Sequence, residues 1–241
     1  MESANIDYSR HYKNWHSDTE EHINKMNVLY SKIIAGHFPS EKSISILDIG
    51  CGMGFLIVAL KRSGYKFVSG IDTDEQQVRS CRQKDLDVTL VRDSTDFLKE
   101  TTGKYDLITA FDVLEHIPVP KQIDFVKAVY GSLKPGGIFI VTVPNANSIL
   151  ASRNRYIDHT HHVLFTEVSL DFVLYNGGFG DIEIKPLDYI FPSSSLKSFI
   201  QRILLGYFRF RRRLEMIAEL GTTWGKKIPL SFNIIGKAIK K

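Results

Sequence analysis

The chain has 241 residues, long enough for one well-buried core, and its 43% hydrophobic and 24% charged content is that of an ordinary globular protein. The polar stretch from Met1 to Trp15 does not read as a secretory signal, and no apolar run reaches the roughly 18–20 residues of a membrane span. Two cysteines, Cys51 and Cys81, are too few for a disulfide framework and suit a cytoplasmic setting, while the net charge of +4 is mild but unevenly spread.

In chain order, residues 1–43 predict a polar helical segment, closed by Pro39-Ser40. Its apolar face carries Tyr8, Tyr12, Trp15, Ile23, Met26, Leu29, Ile33 and Ile34 at helical spacing. From Ile44 onward strand and helix patterns alternate. Strands are expected at 44–49, 66–71, 88–92, 105–111 and 137–143, with helices at about 54–63, 74–84, 94–100 and 119–133 between them. This alternation predicts an α/β fold with a mostly parallel sheet covered on both faces. Lys134-Pro135-Gly136-Gly137 stops the last of those helices. A further helix is expected at 166–176, ended by Gly177-Gly178, and late strands near 180–190 and 230–239. The sheet does not require the segment 193–225 between them. The whole chain, 1–241, reads as a single domain with its core at 44–190.

The organising stretch is Leu47-Asp48-Ile49-Gly50-Cys51-Gly52-Met53-Gly54-Phe55. An apolar run feeds three glycines at alternate positions and then an amphipathic segment, which is the layout of a strand, a tight turn and a helix start. The glycines permit positive φ and close approach of a ligand. The helix opening after them aims unpaired N–H groups into the turn. Asp72 ends the next strand, where a carboxylate accepts bonds from both ribose hydroxyls; capping the helix at 74–84 is its alternative role. A dinucleotide fingerprint, G-x-G-x-x-G, needs glycine at position 55, and Phe55 stands there. Asp48 beside the turn would repel a pyrophosphate and instead suits a cofactor with an ammonium and a sulfonium. These residues favour S-adenosylmethionine.

On those motifs the chain resembles class I S-adenosylmethionine-dependent methyltransferases over roughly residues 44–190. Leu47 to Gly54 resembles the family's first motif, whose turn wraps the methionine part of the cofactor, and Gly70-Ile71-Asp72 resembles its ribose-binding acid. Arg92-Asp93-Ser94 stands where the family contacts adenine. Phe111-Asp112-Val113-Leu114-Glu115-His116-Ile117 resembles the fourth motif, and Leu133 to Phe139 the turn before the fifth strand. The resemblance implies a Rossmann-like, doubly wound, seven-stranded sheet with an antiparallel last strand. It implies cofactor contacts at Asp48, Gly50, Cys51, Gly52, Gly54, Phe55, Asp72, Thr73, Asp93, Ser94, Phe111 and Asp112. It also implies an N-terminal lid in which Tyr8, Tyr12 and Trp15 fold over the cofactor, although the same aromatics fit a role as core anchors.

Methyl transfer from a sulfonium is an in-line displacement, so the protein must align the nucleophile and, for a hydroxyl, remove its proton. The fourth strand leads into Glu115-His116 rather than the Asn-Pro-Pro-Tyr-like sequence of enzymes that methylate amide or adenine nitrogens, which points to oxygen. His116 is one candidate base, with loop capping before Pro118 as its alternative. The other lies in Asp158-His159-Thr160-His161-His162, which leads into Phe165-Thr166-Glu167. That pattern, with Ser169-Leu170 and Gly178-Phe179, resembles methyltransferases of bacterial surface-glycan gene sets. On that resemblance His161 is the matched histidine, while His159 and His162 are extra; Asp158 is a catalytic candidate with the histidines, and His162 a candidate contact to the acceptor. An H-x-H-H spacing on a loop is not diagnostic of a metal, and none is expected. Arg153 and Arg155 are candidates to clamp a carboxylate or phosphate of the acceptor, with Tyr12 beside it; a solvated loop is the alternative for the arginines. Thr166 with Ser169 also reads as a helix start.

Residues 195–220 place Leu196, Phe199, Ile200, Ile203, Tyr207, Phe210, Leu214 and Ile217 on one face of a long helix. The other face holds Lys197, Arg202, Arg209, Arg211, Arg212 and Arg213, six cations with no acid before Glu215. Such a helix fits an anionic membrane surface, or equally a packing or homodimer contact. No RNA-binding module accompanies it, which argues against nucleic acid. The function expected from the sequence is O-methylation of a sugar hydroxyl on a bacterial surface glycan or lipid-linked glycan, at the inner face of the cytoplasmic membrane, with His161 or His116 as base. The alternatives are methylation of a phenolic or quinone-like lipid and, from another class, a cofactor-binding scaffold without turnover.

Overall fold

The computed structural model describes residues 12, 15–189 and 195–241. Tyr8, one of the expected lid aromatics, and positions 193 and 194 of the expected insertion lie outside the described residues.

Helix α1 (Glu20–His37) opens on Thr19, whose side chain accepts from the His22 N–H, and buries Met26, Leu29, Ile33 and Ile34, the stripe expected from their spacing. It packs against α2 (Phe55–Arg62), which follows β1 (Ser45–Ile49) and the glycine turn. The next units are β2 (Phe67–Asp72) with α3 (Glu75–Arg82), β3 (Val88–Leu90) with α4 (Ser94–Lys99), and β4 (Tyr105–Phe111) with a single 3-10 turn at Leu114–His116 and α5 (Val119–Ser132). Then come β5 (Leu133–Pro144), the short α6 (Ala151–Tyr156), α7 (Glu167–Asn176) and β6 (Asp181–Leu187). Helix α8 (Leu196–Gly225) and β7 (Asn233–Ile239) complete the chain's elements.

The seven strands form one sheet in the order β3-β2-β1-β4-β5-β7-β6. Strand β7 runs antiparallel to both β5 and β6, and the other pairings are parallel, as the resemblance implied. Both faces are covered, so the central strands are nearly continuous apolar runs. One layer gathers Phe125, Val129, Phe139, Leu174 and Phe179 under α5 and α7. The other gathers Ile46, Ile57, Leu60, Ile140 and Ile235 under α1, α2 and α3. Each such fully buried side chain contributes about 1.5–3 kcal/mol relative to exposure.

Local chemistry sets the boundaries. Asp74, not Asp72, caps α3 by accepting from the N–H groups of Gln76 and Gln77, which leaves the Asp72 carboxylate for the turn beside it. Thr166 and Ser169 form a reciprocal capping box on α7, as their spacing suggested. The Lys134–Gly137 turn lies inside β5 rather than before it. Leu133 pairs with Tyr105 and Ile138 with Leu107, so the residues between loop out, with Gly136 at φ 73°. Helix α6 falls in a stretch the sequence reading left as loop. Six residues with no clear apolar period gave no signal. In α8 a break at Gly221 (φ 76°, ψ 165°) folds the last turn back, where the Arg213 guanidinium donates to the Gly225 carbonyl.

Candidate active site

The carboxyl ends of β1, β2 and β4 open onto a cleft of about 930 Å³, where open α/β sheets bind ligands. Gly50, Gly52 and Gly54 sit at φ 64°, 53° and 79°, a left-handed run that only glycine adopts cheaply. The N–H groups of Gly50 and Cys51 donate to the Ile71 carbonyl at 2.9 and 3.1 Å, pinning the turn to the end of β2. Asp72 completes it. Its Oδ2 accepts from the Gly52 N–H and its Oδ1 from the Asp74 N–H, each at 2.8 Å. Burial holds the Asp72 carboxyl above the usual range. Asp48, at the floor of the cleft, is pushed up to about 7 by burial and by Asp72, although the Thr109 hydroxyl donates to it at 2.7 Å.

The N-terminal segment covers this cradle. A Cβ on Gly52 would lie 2.5 Å from the Tyr12 hydroxyl oxygen, so Tyr12 rests directly on the turn. The His16 ring lies 4.6 Å from that of Tyr12 and 5.2 Å from that of Phe55. Burial and then His22 push His16 down to about 4, so its ring is neutral at pH 7 and does not repel a cationic cofactor. Asp18 ties the segment to α3 through Lys84 at 2.6 Å and the Ser80 hydroxyl at 3.0 Å. Trp15 also lines the cleft and is half exposed.

The same cleft carries the candidate bases. The His116 and His161 rings meet edge to face with centroids 4.7 Å apart. His161 Nδ1–H donates to the Asn154 carbonyl at 2.7 Å, from the short helix α6. Thr160 donates its hydroxyl proton to Asp158 at 2.7 Å, so it receives the Nδ1–H of His116, also at 2.7 Å. In a neutral ring each histidine therefore keeps its lone pair on Nε2. Asp158 is linked to His116 through the Thr160 hydroxyl. Glu115 is fully buried between these groups, and neither of its oxygens is hydrogen-bonded among the described residues. Burial, then Asp112 and Asp158, drive its carboxyl well above the usual range. Its carbonyl accepts from His162 N–H at 2.8 Å, which fastens the histidine loop to the end of β4.

Asp112 is a hub of hydrogen bonds in that cleft. It sits at φ 54°, unusual for a non-glycine residue, and its carboxylate accepts from Asn233 at 2.7 Å, Tyr189 at 3.1 Å and Thr142 at 3.2 Å. Asp112 is thus held by the chain's own donors rather than left open to a ligand.

Of the residues expected in the site, Asp48, Gly50, Cys51, Gly52, Phe55, Asp72, Thr73, Phe111, Asp112, His116, Asp158, His161, Arg153 and Tyr12 line the one cleft. Five do not. Asp93 spends its carboxylate capping α4, accepting from Thr95 and Asp96 N–H, and neither it nor Ser94 reaches the cleft. Gly54 serves as the N-cap of α2. Arg155 lies over the ring of Tyr156, and the side chain of His162 is exposed. Ligand-capable atoms of Glu115, His116 and His161 lie within 4.8 Å of one another, and among the described residues this is the group able to hold a metal ion. It is not the H-x-H-H set of the loop, since His159 and His162 are both exposed. The sequence reading missed His16, His22, Tyr189, Phe232 and Asn233, which also line the cleft.

A family model described as "Methyltransferase domain" matches residues 8–184. The chain belongs to that methyltransferase family. Its cofactor is S-adenosylmethionine, and the cradle fits it: a turn closed to bulk by three left-handed glycines, with two acids, Asp72 and Asp48, in the same cleft. Similar curated proteins include the ubiquinone biosynthesis O-methyltransferase of Idiomarina loihiensis, 32% identical over 142 residues (55% of this chain, 56% of that protein). Another, from Neisseria meningitidis serogroup C, is 30% identical over 132 residues (52% and 54%). The methyltransferase spans about half the length of the curated relatives it matches. A SAM-dependent methyltransferase from Archaeoglobus fulgidus superposes with a TM-score of 0.64 at 23% identity, covering 89% of this chain and 94% of that one. Another from Mesorhizobium loti gives 0.59 at 16% identity, covering 86% and 96%. At those identities the likeness shows the fold alone. The two curated relatives are named for ubiquinone biosynthesis, so the narrower surface-glycan resemblance drawn from the histidine loop is not supported.

Proposed function

We propose that this methyltransferase transfers the methyl group of S-adenosylmethionine to a phenolic oxygen of a quinone-like lipid, the second of the acceptor readings given above. The observation that carries it is the placement of two histidines with anchored Nδ1–H groups in the same cleft as the cofactor cradle. A phenol ionises near pH 10, about the value of a tyrosine, so an imidazole can take its proton during attack. Bound S-adenosylmethionine supplies an electrophilic methyl on a sulfonium. The chain's residues do the rest. Asp48 and Asp72 sit where they complement the cationic and ribose parts of the cofactor. His116 or His161 receives the hydroxyl proton at Nε2, and Tyr12 with His16 covers the cradle against water. Around the acceptor end, Ile157 and Phe232 offer apolar contact to an aromatic ring. The relatives' names support a lipid-soluble phenol over a sugar.

The test offers the purified protein and S-adenosylmethionine a short-tailed catechol-type quinol and, separately, a panel of free and lipid-linked sugars, with products read by mass spectrometry. Mass gain on the quinol oxygen is expected. Methylated sugar with untouched quinol would overturn the reading.

A further inference from the structure

Among the described residues the apolar stripe of helix α8 stands exposed. Phe199, Ile203 and Phe210 are 58%, 56% and 62% exposed, and Leu196, Ile200 and Tyr207 continue the same face. On the opposite side Arg209 forms a two-pronged ion pair with Asp188 at 2.7 and 2.6 Å. Among the described residues no helix is long and apolar enough to cross a membrane.

The placement of this helix gives the stripe a purpose. Asp188 also accepts from the Phe232 N–H at 2.9 Å, so one carboxylate fastens the middle of α8 to the return of the chain. Its neighbour Tyr189, with Phe232 and Asn233, lines the active-site cleft. The exposed helix is thus bolted to the rim of the cavity that receives the acceptor.

We propose that α8 lies flat on an anionic lipid bilayer and seats the cleft mouth against it, so that the acceptor is taken from the membrane. This rests on the lipid-acceptor reading. Charge selects the occupant. From residue 195 to 220 the helix carries six cations, Lys197, Arg202, Arg209, Arg211, Arg212 and Arg213, against two acids, Glu215 and Glu219. Arg211 and Arg212 share the single carboxylate of Glu215, at 3.5 and 3.0 Å. A second copy carries the same excess of cations and offers no complementary charge. An anionic leaflet complements them and accepts the aromatic stripe at headgroup depth.

The experiment floats the full chain with phosphatidylcholine vesicles and with vesicles containing 30% phosphatidylglycerol, and also measures methylation of a short-tailed, water-soluble quinol. Flotation with the anionic vesicles only, weakened by salt, is expected. In the triple variant Phe199→Asp/Ile203→Asp/Phe210→Asp, partitioning should fall at least about tenfold, with methylation of the water-soluble quinol retained. Neutralising Lys197, Arg211 and Arg212 to Gln should also lower flotation. Absence of flotation, or a solution dimer that the triple variant splits while the wild type ignores vesicles, overturns the inference even if the quinol is methylated. Flotation with an unmethylated quinol supports the docking element and sinks the acceptor reading instead.

Discussion

Thr160→Val removes one hydroxyl and tests which histidine is the base. Valine keeps nearly the same shape, and the Thr160 backbone N–H still donates to Asp158 at 2.8 Å, so the loop retains its turn. What disappears is the acceptor of the His116 Nδ1–H, together with the hydroxyl's own bond to Asp158. Without it the ring loses the hydrogen bond that favours a lone pair on Nε2. A side-chain hydrogen bond of this kind contributes about 0.5–1.5 kcal/mol, which is roughly a 2- to 13-fold fall in kcat if it is felt in the transition state. Cofactor affinity should be unchanged, because neither Thr160 nor His116 belongs to the glycine cradle. Steady-state turnover on a water-soluble quinol measures the first quantity and calorimetry with S-adenosylmethionine the second. In a His116→Ala background the same change should have no further effect, since the atom it acts on has gone. Wild-type kcat in Thr160→Val, or an equal loss in both backgrounds, refutes the relay and leaves His161, anchored on a backbone carbonyl, as the base.

Two further outcomes follow from buried acids. Asp48 stands near 7 without cofactor, so placing an ammonium or sulfonium beside it should expel its proton. Affinity for S-adenosylmethionine should then rise with pH from about 5 to 7, by at most tenfold per unit, and level off above. Calorimetry in buffers of different ionisation enthalpy would read that proton release, and a flat profile in Asp48→Asn would assign it. Glu115 has a folded pKa raised well above its unfolded one, so its stability contribution is full below the unfolded value and is lost as pH rises through the folded value. Glu115→Gln has no proton to lose. The melting temperature of Glu115→Gln relative to wild type should therefore climb as pH rises above the ordinary carboxylate range, and a constant difference would show that the folded Glu115 carboxyl ionises no later than the unfolded one.

What the sequence disclosed was whatever is local. Alternating periods placed the strands and helices to within a few residues, because side-chain period and turn chemistry act over short stretches. The glycine turn, Asp48 and Asp72 were legible for the same reason. Asp93 shows the limit. An acid after a strand and before a helix is equally a ligand and a cap, and here the two N–H groups of α4 take it. Tyr189 and Asn233 reach Asp112 across 77 and 121 residues, so no pattern around either could announce them. His16 and His22 enter the site only because α1 packs on α2. Thr160 was quoted in the histidine motif, yet its role needed the fold that brings the loop beside His116. The acceptor is the least local property of all, which is why the histidine loop alone pointed to a glycan.

The position of β7 has a consequence for how the protein is made. Although it follows every other strand in sequence, β7 lies between β5 and β6, and its first residue, Asn233, supplies the shortest of the bonds to Asp112. During synthesis β5 and β6 emerge with no partner on their facing edges, and the oily stripe of α8 emerges before the strand that closes the gap. Until residues 233–239 arrive, the nascent chain displays two open strand edges and an amphipathic helix together, the combination most prone to wrong pairing. The cofactor half, β1 to β4, closes early, whereas the acceptor half waits for the last strand. Slowing elongation after β6 should therefore raise aggregation of nascent chains far more than slowing it after β4.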